Sequence, residues 1–180
     1  MPRPPRDCSP GIHHVTVGST GPIEYYRDDT DRLVWIRRLV YVLARYGWTC
    51  VATCQLSTHV HLLVEVPDES LPRGMHALIC HYSREFNARH RRIGYLVRDR
   101  YWSRRIADDE YLLTAFRYIV RNPVEAGLCR RPEDWYWSSF ATSCGLAQTF
   151  AFVDAASVLA ALGRPPHEAP DALREFVSGG

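Results

Sequence analysis

Hydrophobic and polar residues follow two different periods along the chain, and each period predicts one kind of element. Short apolar or alternating runs are typical of strands, whereas apolar residues spaced three and four apart indicate amphipathic helices. The predicted elements are, in chain order, strand 13–20, helix 28–48, strands 48–56 and 58–66, helix 70–92, a strand with loops within 94–107 and helix 108–122. The pattern therefore predicts the order βαββαβα.

Capping residues, glycines and prolines mark the predicted ends of these elements. An Asp/Thr segment starts the first helix and Gly47 stops it, while an aspartate caps the third helix and Pro123 ends it. Pro67 closes the third strand, and Gly94 breaks the chain after the second helix. The strands 48–56 and 58–66 have little between them, which predicts a hairpin.

A split β-α-β order predicts an α+β fold of the ferredoxin-like type, with an antiparallel sheet and helices on one face. The chain has 180 residues, 46% of them hydrophobic, which is enough for one compact domain with a full core. We predict a disordered N-terminal arm at 1–12, the main domain at 13–145 and a C-terminal helical extension at 146–180.

The sequence contains no targeting signal that we can identify. No apolar run approaches the roughly 18 residues of a spanning helix, and the opening MPRPPRDCSPG lacks the apolar core of a signal peptide. We expect a cytoplasmic, nucleoid-associated protein without a membrane partner. Its six cysteines are then expected to be thiols.

Two histidines lie one residue apart in strand 58–66. Side chains alternate between faces in an extended chain, so His59 and His61 point the same way and their imidazoles lie close enough to hold one ion. A strand histidine is more often a structural, hydrogen-bonded residue, so the pair alone does not establish a metal site. His13 and His14 could approach from a neighbouring strand, but an ordinary strand end is the favoured interpretation.

The segment 81–105 is strongly basic and contains several aromatic residues. All fixed cations of this chain are arginines, whose guanidinium groups form bidentate hydrogen bonds with phosphates and stack on bases. Arginines mixed with aromatics suit a groove for single-stranded nucleic acid, although a charge run is often only a solvated surface. The arginines are Arg84, Arg89, Arg91, Arg92, Arg98, Arg100, Arg104 and Arg105, and the aromatics are Tyr82, Phe86, Tyr95, Tyr101 and Trp102.

The third predicted helix carries a phenol and an amide on one face. Tyr118 and Asn122 lie four residues apart, so this helix could offer both groups to a metal held by the histidine strand. Tyr111 lies seven residues earlier on much the same face. No polar residue follows it four positions later, as Asn122 follows Tyr118, so Tyr111 is interpreted as a packing residue. The combination with the histidine pair in a basic domain indicates phosphodiester chemistry.

Four linked blocks of the sequence carry a resemblance to a known family. They read THVHLLVEV, GMHALICHYSREFNARH, RYWSRRIADDEYLLTAFRYIVRNPVEAGL and RPEDWYWSSF. In this order and spacing the chain resembles the REP-associated tyrosine transposases, relatives of single-tyrosine transposases in the His-hydrophobe-His nuclease class. The resemblance starts near HHVTVGSTGPIEYYRDD, extends to about Phe140 and implies the same ferredoxin-like sheet, so 13–145 would be the transposase domain.

The resemblance also implies roles for particular residues. His59 and His61 match the paired histidine ligands, Asn122 the third, amide ligand, and Tyr118 the nucleophile. The implied cofactor is Mg²⁺ or Mn²⁺, and the implied partner is single-stranded or hairpin DNA, cut to a 5′-phosphotyrosine and a free 3′-hydroxyl. Arg117 and Arg121 are candidates to assist the tyrosine and bind DNA, and a monomer is expected rather than a dimer.

The chain departs from the family pattern at several positions. Ser57 and Thr58 stand where the family usually has Pro-Asn, and Val120 stands where a histidine is common. The segment VGSTG replaces an Arg-Gly-Asn segment linked to recognition of a short guide, so the target sequence cannot be carried over. Two alternatives follow: a nucleic-acid-binding protein with a decayed metal site, and a zinc-stabilised domain that uses Cys50 and Cys54 with the histidine pair.

Overall fold

The computed structural model describes residues 7–19, 23–97 and 100–179. Its four strands are β1 (Gly11–Gly18), β2 (Thr49–Gln55), β3 (His59–Val66) and β4 (Trp102–Arg105). They form one antiparallel sheet in the order β2-β3-β1-β4, which is the ferredoxin-like arrangement. The predicted α+β fold class and the β2–β3 hairpin are confirmed.

Three long helices accompany the sheet. They are α1 (Asp29–Tyr46), α2 (Leu71–Arg89) and α3 (Asp109–Glu125). The Asp28 carboxylate caps α1 by accepting from the Asp31 N–H, and Gly47 ends it in the left-handed conformation at φ 67°. The sequence therefore predicted both ends of α1 correctly, because the residues expected to cap the helix are the ones that cap it.

The predicted end of the third helix was wrong by one turn. Helix α3 continues through Pro123 to Glu125. A proline in the last turn removes one backbone donor, and the chain compensates because the N–H groups of Ala126 and Leu128 reach the carbonyls of Asn122 and Pro123 at 2.9 and 2.8 Å.

Helices cover both faces of the sheet, which corrects the prediction that they lie on one face. Val60, Leu62 and Val64 of β3 pack into a core with α1 and α2, whereas Leu63 packs into a second core with α3. Successive strand residues point to opposite faces, and β3 is buried along most of its length on both, so each face needs a cover. Helix α3 thus lies on the face opposite α1 and α2.

The C-terminal segment contributes buried residues to the second core. Its helices are α4 (Phe140–Ser143), α5 (Ala156–Ala161) and α6 (Ala169–Ser178), and a 3₁₀ turn (Pro132–Asp134) precedes them. Val158 of α5 and Leu173 of α6 are buried against α3. At the other end β1 begins at Gly11, before the predicted boundary at 13, and residues 1–6 of the predicted disordered arm lie outside the described residues.

The segment WYWSSF, residues 135–140, anchors the edge of the sheet. Its backbone pairs with β2, where the Gln55 N–H donates to the Trp137 carbonyl and the Ser139 N–H donates to the Thr53 carbonyl, both at 2.9 Å. No helix in the described part of the chain is long and apolar enough to cross a membrane.

Gly74 of α2 packs directly against the Trp48 ring, and a substitution can test this contact. A Cβ added at Gly74 would lie 2.3 Å from the Trp48 ring, whose Nε1–H donates to the Ser70 hydroxyl at 2.8 Å. Because that bond holds the ring in place, Gly74→Ala should lower the free energy of unfolding by about 1–3 kcal/mol. Urea unfolding checks this value. Ala77→Gly, at a half-buried position of the same helix, is the control for propensity alone, and equal stability of Gly74→Ala and wild type would contradict the contact.

Candidate active site

The β1–β3 pairing gathers the polar residues of both strands on the α3 face of the sheet. In the antiparallel register Thr16 lies opposite His61, and Gly18 lies opposite His59. Trp102 of β4 pairs with Thr16 from the other side. Directly opposed residues share a face, so the histidine pair, Thr16 and Trp102 form one surface.

His61 is held by two neighbours through one ring nitrogen. The Thr16 Oγ1 and the His14 Nε2 lie 3.0 and 3.1 Å from the His61 Nδ1. The other nitrogen, Nε2, is buried and has no hydrogen-bond partner among the described residues. A buried imidazole nitrogen without a partner is costly unless a ligand uses it, so His61 Nε2 is the atom best placed to bind a cation.

Burial favours the neutral form of all three histidines of the site. Burial, with smaller contributions from the neighbouring His59 and His14, lowers the pKa of His61 to about 3. Burial also lowers the pKa of His14 to about 4 and that of His59 below its usual value. A lowered pKa leaves imidazole unprotonated at neutral pH, which is the form that binds metals.

His59 is positioned by the residue that precedes it, Thr58. The Thr58 Oγ1 lies 3.0 Å from the His59 Nδ1, as Thr16 does from His61, so the departure at Thr58 supplies a hydrogen-bond partner. Gly18 allows the close strand approach at this point, because a Cβ there would lie 3.0 Å from the His59 Cβ and from the Thr58 carbonyl oxygen.

Tyr118 lies over the histidines from α3. Its ring centroid is 5.4 Å from that of His61 and 5.9 Å from that of His14, and the residue is 49% exposed. Trp102, which is 50% exposed, contacts the other side of His14 at 5.1 Å between centroids. The phenol ring of Tyr118 and the indole ring of Trp102 therefore lie beside the histidines, and both are half exposed to solvent.

Asn122 lies one turn after Tyr118 on α3, as its spacing predicted. Its Nδ2 donates to the Tyr118 carbonyl at 2.7 Å, which leaves the amide oxygen as the atom that could bind a cation. Within the described ranges no group of three His, Cys, Asp or Glu side chains could hold a metal. The side chains at this site that could contribute ligands to a cation are His59, His61 and Asn122.

The zinc alternative is not supported by the cysteine positions. Cys50 is buried in the core with α1 and α2, and Cys54 is buried in the core with α3 on the opposite face. Burial raises the pKa of both thiols to about 12, and because they lie on opposite faces of the sheet they cannot join the histidine pair around one ion.

The predicted DNA-binding arginines do not form one continuous groove. Arg89 pairs with Asp28 and Asp31, and Arg105 donates to the Pro10 carbonyl at 3.1 Å. Arg104 lies over the Tyr111 ring at 4.7 Å. Arg84, Arg91 and Arg100 are exposed, whereas Arg98 lies outside the described residues.

Most of the interleaved aromatics are core residues, which corrects the prediction of a stacking series. Tyr82 and Phe86 are 0% and 1% exposed in the core beneath α1 and α2, and Tyr101 is also buried. Helical spacing explains the error, because the apolar residues of an amphipathic helix face inwards and its arginines face outwards. Tyr95 and Trp102 remain available to a ligand.

A shallow groove of about 340 Å³ runs beside Tyr118 along α3. Its lining residues are Thr114, Arg117, Tyr118, Arg121 and Glu125. The C-terminal helix α6 orients both arginines: Arg121 donates to the Val177 carbonyl at 2.9 Å, and Arg117 lies over the Phe176 ring at 5.5 Å. Tyr118 thus lines the same groove as two arginines.

Sequence reasoning missed the contributions of three residues to this site. His14 was interpreted as an ordinary strand end, Thr16 was not considered, and Trp102 was not connected with the histidines. The sequence indicated only that these residues lie on the first and fourth strands. Alternation along the first strand also places His14 and Thr16 on one face. The pairing partner of each strand was needed to bring them to His61.

The fold and the site define an α+β domain in which a four-stranded antiparallel sheet presents paired histidines to a helix-borne tyrosine. No protein-family model matches the chain. A protein of Haemophilus influenzae named as a candidate REP-associated tyrosine transposase is 33% identical over 107 residues, which cover 53% of this chain and 60% of that protein. The match therefore spans less than two thirds of the relative.

A solved structure shares the fold over most of its length. It is a REP-associated tyrosine transposase bound to a REP hairpin, and it matches with a TM-score of 0.70 and 18% identity over 86% of this chain and 93% of that one. The resemblance to REP-associated tyrosine transposases that the four sequence blocks carried is confirmed.

Proposed function

We propose that this chain is a single-stranded DNA endonuclease and strand transferase of the transposase type, acting on hairpin-forming DNA. Tyr118 is its nucleophile, and His59, His61 and Asn122 hold Mg²⁺ or Mn²⁺. The observation that carries this proposal is the solvent-open Tyr118 ring beside neutral histidines, one of which has a buried, unpartnered nitrogen. The similarity to transposases supports the choice of DNA as substrate.

The reaction is one exchange of ester bonds at phosphorus. The Tyr118 oxygen attacks a backbone phosphate, the new oxygen–phosphorus bond forms, and the bond to the deoxyribose 3′-oxygen breaks. The phenol loses its proton, and the 3′-oxygen leaves as a hydroxyl. Because the phosphotyrosine keeps the ester, attack by a 3′-hydroxyl can rejoin strands without ATP.

The arginines beside Tyr118 help to bring phosphate and phenol together. Arg117 and Arg121 line the same groove as the tyrosine, and positive charge there attracts the DNA backbone. Their contacts with α6 restrict the side chains before DNA binds, which reduces the entropy cost of ordering them.

The donor set fits a hard divalent ion. Two neutral imidazoles and an amide oxygen are acceptable to Mg²⁺ or Mn²⁺, and the thiols are excluded by their burial. A bound ion would neutralise charge on a phosphate oxygen. The chain's own contribution is to hold both imidazoles through their Nδ1 atoms with Thr16 and Thr58, so that the two Nε2 atoms face the ligand.

The alternative function is DNA binding without cleavage. The side-chain amide of Asn122 donates to the Tyr118 carbonyl of its own helix. The described residues also contain no group of three His, Cys, Asp or Glu side chains that could hold a metal. A protein that only binds structured DNA is therefore the second candidate. A labelled single-stranded hairpin with flanks, incubated with Mn²⁺ or Mg²⁺, separates the two. The enzyme yields a covalent protein–DNA adduct, and the binding protein yields only a salt-sensitive mobility shift.

The Thr58 hydroxyl gives a direct test of how His59 is positioned. Thr58→Val removes the partner of His59 Nδ1 and should weaken Mn²⁺ binding about 10-fold, because an unrestrained imidazole rotates and changes tautomer. Calorimetric titration of the folded protein measures this affinity. Thr58→Ser keeps the hydroxyl and should bind as wild type does, whereas equal affinity of the Val variant would show that the contact is dispensable.

A further inference from the structure

The loop after α2 presents two fully exposed hydrophobic side chains. Ile93 and Tyr95 are 97% and 84% exposed, the highest values among the large hydrophobic residues of the described chain. We call residues 91–95 the tip. Exposed apolar side chains next to each other on a short loop are costly in water, and such patches commonly mark binding surfaces.

The tip is held in one conformation from its base. The Arg92 N–H donates to the Asn87 carbonyl at 2.8 Å, and the Asn87 side-chain amide donates to the Gly94 carbonyl at 2.8 Å. The Arg92 guanidinium donates back to the Asn87 side chain at 3.2 Å and to the Tyr95 carbonyl at 3.3 Å. Arg92 is therefore a clamp of the loop, although the sequence predicted a DNA contact for it.

Two residues of the tip have positive φ angles. Gly94 has φ 99° and open space around it, and Arg91 has φ 48°, the only positive φ of a non-glycine residue among those described. Together with the hydrogen bonds from Asn87, these conformations aim the Ile93 and Tyr95 side chains away from the protein. The loop is thus ordered before any partner binds, which lowers the entropy cost of binding.

Two exposed arginines lie close in sequence to the two hydrophobic side chains, Arg91 within the tip and Arg100 five residues after Tyr95. The guanidinium groups of Arg91 and Arg100 are exposed and have no acceptor or acidic partner among the described residues. Along the sequence Asp99 is the one acidic residue between Glu85 and Asp108. Flat or apolar groups flanked by arginines suit a polyanion with exposed bases. A second copy of the chain would instead bring like charges together in a symmetric contact.

The tip lies within reach of the candidate active site. Tyr95 and Trp102 are seven residues apart, so their Cα atoms are at most about 25 Å apart. Trp102 contacts His14 beside Tyr118. The short chain between Tyr95 and Trp102 therefore limits how far the tip can lie from the candidate active site.

We propose that the tip binds unpaired bases of hairpin DNA. Tyr95 stacks on a base, Ile93 packs beside it, and Arg91 and Arg100 pair with neighbouring phosphates. This inference rests on the proposed function, since it assigns the surface that receives the hairpin. It also separates recognition from cleavage, because the tip is distinct from the residues around Tyr118.

Fluorescence of 2-aminopurine tests the stacking. The probe is a DNA hairpin with 2-aminopurine in its loop, and a second probe carries it in the stem. Wild-type protein should quench the loop probe more strongly, and Tyr95→Ala should lose this quenching and bind between about 5-fold and 150-fold more weakly. Tyr41→Ala, which removes a 49% exposed tyrosine from α1, is the matched control and should bind as wild type does.

The remaining measurements separate the tip from the cleavage site and from self-association. At saturating DNA, Tyr95→Ala should still form the covalent adduct at the wild-type rate, and Arg91→Ala should lower the salt dependence of binding by about 0.7 in the logarithmic slope. Unchanged hairpin affinity of Tyr95→Ala, in a wild type that binds and cleaves, would overturn this inference alone. Failure of the wild type to bind any hairpin would overturn the proposed function with it. A dimer in sedimentation that Tyr95→Ala converts to a monomer would assign the tip to self-association and also overturn the inference.

Discussion

Tyr118→Phe is expected to abolish the covalent protein–DNA adduct and cleavage together, with a loss on the order of 10³-fold or more. The substitution removes one oxygen atom and keeps the ring that contacts His14 and His61. The fold, metal binding and hairpin binding should therefore persist. Denaturing gels with a labelled hairpin measure the adduct, and mass spectrometry after proteolysis locates it.

Tyr111→Phe is the matched control for this experiment. Tyr111 lies on the same helix, but its ring packs under the guanidinium of Arg104 and makes no ring contact with the histidines among the described residues. The Tyr111 variant should keep full activity. An adduct mapped to Tyr111, or to any residue other than Tyr118, would mean that the proposed nucleophile and the proposed role of Asn122 are both wrong.

His61→Ala is expected to lower cleavage by about 100-fold or more through loss of metal affinity, and His59→Ala should do the same. The effect should be larger for His61, because its Nε2 is buried and its ring is held from two sides by His14 and Thr16. Excess Mn²⁺ should restore part of the activity of the histidine variants. No metal concentration can restore Tyr118→Phe, since that variant lacks the attacking atom.

Calorimetry with Mn²⁺ makes the histidine prediction independent of activity. Each histidine variant should bind the ion more weakly, and Asn122→Ala should show a milder loss if its amide oxygen is a ligand. His13→Ala is the control, because His13 bonds to the Ser9 carbonyl at 2.8 Å and lies outside the cluster. Wild-type affinity in both His59→Ala and His61→Ala would remove the metal from the proposal and favour the binding-only alternative.

Local sequence patterns accounted for the fold because they act over short distances. The element order, the Asp28 and Gly47 caps of α1 and the β2–β3 hairpin follow from periodicity and turn residues within a few positions. The same patterns placed His59 with His61 on one strand face and Tyr118 with Asn122 on one helix face. The extent of α3 was missed because surrounding hydrogen bonds, and not the proline alone, decide where it ends.

Long-range pairing decided what the local patterns left open. Arg89 forms ion pairs with Asp28 and Asp31, about 60 positions away in the sequence. No local pattern distinguishes Arg89 from the exposed Arg91. Apolar spacing likewise shows that Tyr82 is on a helix, but only the fold shows that it is buried.

The sequence by itself determined the ferredoxin-like order of elements, the histidine pair on one strand face and the Tyr118–Asn122 pair on one helix face, because each depends on local spacing. Only the tertiary structure decided that β1 pairs with β3 in the register that brings His14 and Thr16 to His61, and that helices cover both faces of the sheet. The physical reason is that alternation assigns a residue to a face, whereas the partner of that face is chosen by burial across the whole sheet.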